Sequence, residues 1–483
     1  MKLTQLTLKQ LRNGLDKREF SAKDLIQVTL AAISEKSDLN AFITVCDDEA
    51  LAAAAEADRK IKRGESTPLL GIPVGVEDRI MTKGIRTTCG SKLLRSFIPP
   101  YDATVVRRLL EAGAIIIGKS NLDEFSMGSS GENSAFGVVK NPWNKSCVAG
   151  GSSGGAAVAA QLVPAVVATD TGGGLRQAAA FCGVYGLRPT YGRISRYGVA
   201  AFASSLDQVG VLSKRVEDLG IITTLIAGYD SRDATSMDVK VPEFSPPFDC
   251  GLDGVTIGVP QEYFSSLVES EVLEKVKVAI NRFEELGAKV VYLKLEHTTS
   301  ALSAYYVISS AEGASNLSRF DGVRYGERVA GSDLEEMYLK TRSEGFGSEV
   351  KRRILFGTYV LSKECRSRYY LQAQKMRRLV LDDFKKAFTQ CDLLITPVTP
   401  SGVFKIGQKT SDPLSMYLND AFTAPVSLAG LPALGIPCGV DSAKLPIGMQ
   451  LIADYWCEEL LLKVAATYQK VMDVWGGGGK GTK

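Results

Sequence analysis

The stretch "VAGGSSGGAAVAAQLVPAVVATDTGGGLRQAAAFCG", residues 148–183, decides the fold. A glycine-rich loop with paired serines opens a helix of small residues. The apolar run "PAVVAT" then reads as a buried strand, and Gly172, Gly173 and Gly174 follow Asp170 and Thr171 into a second helix. Helix, buried strand, bare turn and helix in immediate succession make an α/β unit.

The same alternation extends outward. "TVVRRLLEAG" (104–113) and "SEVLEKVKVAINRFEELG" (270–287) space apolar residues three and four apart, and each ends at a glycine suited to a left-handed cap. Each is followed by a β-branched run of strand length, "AIIIGK" and "AKVVYLKL"; "VTIGVP", "DLLITPVTP" and "ALGIPCG" read alike. Nearer the N-terminus, Ser21 opens a capping-box-like start to "SAKDLIQVTLAAI", and the alanine-rich "DDEALAAAAEADRKIKRG" predicts a second helix. Two helices, within about residues 1–64, are thus expected before the first core strand. The prolines of "VPEFSPPFDCG" (241–251) predict a surface loop and not a linker, since strands resume directly behind it. "WGGGGKGTK" has nothing to bury and predicts a flexible tail over 476–483.

Composition narrows the function. The 483 residues are 45% hydrophobic and 23% charged, which is ordinary globular material. A net charge of +3, with only the short clusters "KRR" (351–353) and "KMRR" (375–378), supplies no long cationic arm for nucleic acid, so any RNA contact is local or made by a partner. Nine cysteines without a C-x-x-C spacing read as reduced core residues of a cytoplasmic protein. The single His297 excludes a histidine-based metal cluster and argues against a Ser-His-Asp triad; no metal site is expected. "MKLTQLTLKQLRNGL" has no apolar signal core, and no apolar run reaches transmembrane length.

The two glycine turns carry the chemistry. The first lacks the Gly-Lys-Ser/Thr ending of a phosphate loop, which weakens that reading. In the second, successive backbone N–H groups can stabilise a developing oxyanion; a tight strand-to-helix connection explains the same glycines equally well.

At this point the chain resembles the amidase signature family. "GGSSGG" (150–155), "TDTGGGLRQ" (169–177), "FCGVYGLRPTYGRIS" (181–195) and "SLDQVGVLS" (205–213) match its signature almost letter for letter. "PLLGIPVGV", "TKGIRTTCGSKLL", "PPYDATVVRRLLEAGA", "GKSNLDEFSMGSSGENSAFG" and "NPW" look like the subset represented by the A-type subunits of glutamyl-tRNA(Gln) amidotransferases, as do "RFDGVRYG", "EVKRRILFGT" and "NDAFTAPVSLAGLPALGIPCG". The resemblance covers nearly the whole chain. It implies an α/β amidase signature fold, one large mixed central sheet flanked on both faces by helices. Length alone would suggest about three domains; the resemblance implies a single domain over 1–475, with the signature core at about 65–215.

The family's catalytic set is Ser-cis-Ser-Lys, in which a buried neutral lysine draws a proton through the bridging serine and activates the nucleophile. By motif position Ser152 matches the bridging cis-serine. The lysine position holds Glu77, in "PVGVEDR", and the nucleophile position holds Gly174. Arg79 stands where asparagine is usual, Ala178 where proline is usual, and the interval from Ser152 to Gly174 is two residues short. Charge compensation of Glu77 by Arg79 or Arg176 is expected. The resemblance assigns the oxyanion turn to the backbone of Thr171, Gly172 and Gly173, and glutamine binding to Arg353 for the carboxylate and Asp420 for the ammonium, with Tyr305 beside them; opposite charges at the two ends of an amino acid are the physical reason. It further implies a heterotrimer with B-type and C-type subunits, glutamine as substrate, tRNA held mainly by the B-type partner, and ATP and Mg only in that partner. With two of three catalytic positions substituted, own amidase chemistry is expected to be absent or strongly impaired. Three readings follow: an A-type subunit that by resemblance would release ammonia from glutamine for conversion of Glu-tRNA(Gln) to Gln-tRNA(Gln), against whose active form the substituted positions argue; the same scaffold as a non-catalytic or regulatory pseudoamidase; and a stand-alone small-amide hydrolase, against which the motifs after residue 300 argue.

Overall fold

A computed structural model describes residues 2–151, 154–244 and 251–475. Ser152, Ser153, most of the proline-rich loop and the glycine-rich tail lie outside the described residues.

One mixed sheet of eleven strands organises the chain. The strands are β1 (Phe42–Val45), β2 (Pro73–Glu77), β3 (Ile115–Ser120), β4 (Ala165–Asp170), β5 (Tyr185–Arg188), β6 (Gln208–Ser213), β7 (Thr256–Pro260), β8 (Lys289–Leu293), β9 (Leu393–Pro397), β10 (Ala433–Val440) and β11 (Pro446–Ala453). Their spatial order is β1-β3-β2-β4-β6-β5-β10-β11-β9-β7-β8. Strands β3, β2 and β4 run parallel to one another, as do β9, β7 and β8, while the strands between them are antiparallel. This is the expected α/β architecture of a large mixed sheet flanked by helices.

Local chemistry accounts for the elements. Every residue of β2, β3 and β4 is buried, so these strands read as continuous apolar runs and not as alternating ones. The outermost strand β8 is only partly buried, and its Lys289 and Tyr292 are exposed at an edge of the sheet. Ser21 and Asp24 form the predicted capping box of helix Ala22–Glu35. Helices Thr104–Glu111 and Ser270–Glu285 stop before Gly113 and Gly287, both at positive φ.

The N-terminal region departs from expectation. Three α-helices and a strand, not two helices, precede β2: helix Leu8–Asp16 begins at a reciprocal Thr7/Gln10 cap and buries Leu8, Leu11 and Leu15, and β1 lies between the other two helices. At four residues, β1 is too short to declare a period, and its partner β3 is about seventy residues away in the chain. Phe244, at the start of the proline-rich segment, is buried, and β7 joins the same sheet shortly after it.

Candidate active site

The carboxyl ends of β2 and β4 carry the first half of the site, as the ends of parallel strands commonly do. Glu77 is the last residue of β2, fully buried. Thr169, near the end of β4, donates its amide to Glu77 Oε2 at 3.3 Å and its hydroxyl to Glu77 Oε1. Ser126 Oγ stands 3.5 Å from the same threonine hydroxyl.

Asp170 ends β4 and anchors the turn. Its carboxylate accepts from Arg176 Nε and Nη2 and from Arg188 Nη1, each at 3.0 Å, and all three side chains are excluded from solvent. Burial works against the Asp170 charge, but the two guanidinium groups outweigh it and hold the carboxyl below the usual carboxylate range. Arg176 is further engaged by Gln450, Ser427 and the Thr423 carbonyl. Its hydrogen bonds thus commit it to Asp170 and to the segment 423–450.

Arg79 is placed within the electrostatic reach of Glu77. Wholly buried just beyond β2, it ion-pairs Asp207 Oδ1 through Nη2 at 2.9 Å, while Nε and Nη1 have no hydrogen-bond partner. Burial opposes its charge, and Asp207 and then Glu77 hold it raised. Glu77 thus contributes through space, and Asp207 is the direct partner. The same Asp207 oxygen accepts from Thr171 Oγ1 at 2.5 Å, which ties Arg79 to the first residue of the turn.

The turn itself distinguishes its three glycines. A Cβ on Gly172 would collide with the Tyr305 hydroxyl, and one on Gly173 with Thr423; Gly173 also sits at φ +135°. Gly174, the first residue of helix Gly174–Cys182, is different: its nearest neighbour is the Gly151 carbonyl carbon, 3.8 Å from the position of a Cβ. Two glycines are needed for close approach. A Cβ on the third would meet only ordinary van der Waals contacts among the described residues.

The second half of the site comes from later in the chain. Helix Thr298–Leu317 contributes Tyr305 and Tyr306, helix Ser348–Leu361 contributes Arg353, and the turn Leu418–Asp420 contributes Asp420. Asp420 accepts from Tyr306 at 2.5 Å, Ser129 at 2.8 Å and Gln177 at 2.7 Å. Burial raises its carboxyl while those three donors pull it down. Gln177 lies on the helix that begins at Gly174, so one helix links the glycine turn to Asp420.

Arg353 is brought to the same place by aromatic rings. Its guanidinium carbon lies 4.3 Å from the Tyr306 ring centroid and 4.8 Å from that of Tyr417, and these rings stack at 4.2 Å. Nε donates to Glu349 Oε1 at 2.6 Å, which also accepts from Tyr417 at 2.9 Å; Nη1 is buried without a hydrogen-bond partner. Burial acts against the Arg353 charge, but Tyr306, Glu349 and Tyr417 more than offset it. Tyr305, Arg353 and Asp420 therefore meet around Tyr306, next to Gly172. Ser152 lies outside the described residues. Tyr306, Gln177, Ser129, Glu349 and Asp207 complete the arrangement and are not singled out by the sequence. Gln177, Ser129, Asp207 and Glu349 lie inside the motifs "TDTGGGLRQ", "GKSNLDEFSMGSSGENSAFG", "SLDQVGVLS" and "EVKRRILFGT", whereas Tyr306 lies in none of those quoted; the part each plays becomes visible only when distant segments meet.

Among the described residues no helix is long and apolar enough to cross a membrane. Comparison with known proteins agrees with the geometry. A Geobacter metallireducens protein, named as the A-type subunit of glutamyl-tRNA(Gln) amidotransferase, is 50% identical over 474 residues, 97% of this chain and 98% of its own. The crystal structure of the protein of that name from Thermotoga maritima superposes with a TM-score of 0.81 at 37% identity, covering 97% and 95% of the two chains. A native peptide amidase from Stenotrophomonas maltophilia shares the fold with a TM-score of 0.82 at 29% identity, over 96% of each chain. The amidase family profile matches residues 24–462. With the sheet, the glycine turn and these relatives in agreement, the chain belongs to the amidase signature family.

Proposed function

We propose that the chain is an A-type subunit of a glutamyl-tRNA(Gln) amidotransferase that retains the amino-acid pocket and has lost its own glutamine-hydrolysing chemistry. The near-full-length similarity to proteins bearing that name supports the lineage. One observation supports the loss: by motif position the nucleophile is replaced by Gly174, which has no side chain, and the lysine by a buried Glu77 that accepts two hydrogen bonds from Thr169. A carboxylate so engaged does not replace a neutral lysine in activating a serine, and Gly174 has no oxygen to activate. Arg353 Nη1, buried and without a hydrogen-bond partner among the described residues, supports a pocket that still takes an α-amino acid by its two charged ends, with Asp420 serving the second.

On this reading residues 1–475 act as one domain in the cytoplasm. A B-type partner holds tRNA, ATP and Mg, and a C-type subunit joins both to make the heterotrimer. Conversion of Glu-tRNA(Gln) to Gln-tRNA(Gln) then depends on ammonia from another source, and the chain serves as a scaffold.

Ammonia release from glutamine by the chain assembled with B- and C-type partners tests this, beside the double variant Glu77→Lys, Gly174→Ser. A silent parent with an active double variant is the expected result. Comparable release by the parent would overturn the reading and turn attention to Ser152 as an alternative nucleophile.

A further inference from the structure

Residues 351–378 carry nine lysines and arginines against one acidic residue, in a chain whose net charge is only +3. They cover helix Ser348–Leu361, the turn after it and the first half of helix Tyr370–Ala387. Arg353 and Arg377 are used internally: Arg353 in the site above, Arg377 on the Leu428 carbonyl and on Ser205. The others are exposed, and Lys363, Arg366, Arg368 and Lys375 make no ion pair among the described residues.

Apolar surface accompanies this charge. Leu355 is 71% exposed and Tyr359 53%, and the Tyr359 ring packs 5.9 Å from that of Tyr369, joining the end of one helix to the start of the next. Leu371, Lys375 and Arg378 follow at three- and four-residue spacing and form one strip along the helix. Beside that strip opens a cavity of about 580 Å³. Gln374, Arg378 and Leu381 form one wall, Tyr455 and Trp456 the other, with Leu428 between them. Trp456 is held at φ +69°, with its amide on Thr190 and Arg193 stacked 4.6 Å from its ring. The cavity is of the size that takes a ligand or several side chains.

We infer that this face docks an acidic segment of a partner subunit, which inserts apolar side chains into the Gln374–Trp456 cavity and sets its carboxylates against Arg366, Arg368 and Lys375. The inference rests on the amidotransferase reading above. Charge complementarity identifies the occupant: the row of unpaired cations demands an anionic partner. The exposed aliphatic residues Leu355 and Leu371, on the same two helices as these cations, and a cavity lined in part by Leu381, Leu428 and Trp456 favour a protein over RNA, which is bound by phosphate contacts and stacking. A small molecule would fill the cavity and leave the strip unused.

The test measures association of the full chain with B- and C-type subunits by sedimentation, at low and high salt. The variants are Arg366→Glu/Arg368→Glu/Lys375→Glu, the cavity-filling Gln374→Trp, and a control Lys23→Glu/Lys62→Glu on the N-terminal helices. The triple variant and Gln374→Trp are each expected to weaken association at least tenfold, with salt dependence reduced only in the former. The control should assemble as the unaltered chain does. Unchanged association of both docking variants overturns the inference while the amidotransferase reading stands. Loss of tRNA binding with an intact heterotrimer assigns the face to nucleic acid and also overturns it. If the unaltered chain fails to assemble, the amidotransferase reading falls and the docking face with it.

Discussion

The Cβ that Gly174 lacks would stand 3.8 Å from the carbonyl carbon of Gly151, an ordinary van der Waals distance. Among the described residues no atom of another segment comes closer than that to the position of the missing Cβ. Gly174→Ser is therefore expected to fold with stability within about 1 kcal/mol of the parent, since serine is no worse than glycine in a helix. The neighbouring glycines behave differently. Gly173→Ser must adopt φ +135° against Thr423 and should lose about 3 kcal/mol or more, and Gly172→Ser must displace the Tyr305 hydroxyl. Urea unfolding of the three variants checks this order, and equal losses at all three positions would contradict it.

Asp170 is the anchor that keeps the empty turn in shape. Its carboxylate faces two buried arginines, so Asp170→Asn leaves those cations undercompensated and should cost about 3 to 5 kcal/mol. The sign with pH follows from its lowered carboxyl: the stabilisation is present above the unfolded carboxylate range and is lost as pH falls through the folded value. Chemical denaturation should show a steeper acid limb in the parent than in Asp170→Asn. Parallel acid limbs would refute the assignment.

Much of this is legible in the sequence, and the limits have physical causes. Glu77 and Gly174 stand out because each lies inside a stretch that resembles a motif of the family, at a position where the resemblance implies a different residue. Helix caps at Ser21, Gly113 and Gly287 are local, and the structure has them. The partner of Arg79 is another matter. Asp207 lies 128 positions away and meets it through the packing of separate segments, which no spacing rule encodes. Spacing therefore offers only neighbouring side chains for compensation, although the direct pair runs to Asp207. Tyr306 escapes for a similar reason: on a helix with two adjacent tyrosines, only the approach of Asp420 and Arg353 separates its role from that of Tyr305.

Tyr306 offers two separable functions, a hydroxyl on Asp420 and a ring against Arg353. Tyr306→Phe removes only the first. A hydrogen bond to a buried charged group contributes about 1.5 to 3 kcal/mol, so glutamine binding by titration calorimetry should weaken at least about tenfold, with the fold intact. Tyr306→Leu removes both and should weaken binding further. Equal affinities for the parent and Tyr306→Phe would mean that Asp420 does not hold the ligand's ammonium.

Asp218 gives the opposite pH behaviour to Asp170. Its carboxylate accepts from the Leu8 amide at 3.1 Å and from Ser213 at 3.5 Å, and burial pushes it up to about 7. Because the folded value lies above the unfolded one, this group's contribution is fully present below the unfolded carboxylate range and is lost as pH rises through about 7. Asparagine keeps an oxygen for the Leu8 amide and carries no charge to bury. Asp218→Asn should therefore match the parent at about pH 3.5 and exceed it at about pH 8 by on the order of 4 kcal/mol. Since Leu8 begins the N-terminal helix, the same substitution should slow amide exchange in residues 8–16 at the higher pH. A parent whose stability and exchange in that helix do not change between the two pH values would show that Asp218 is not the group that couples it to protons.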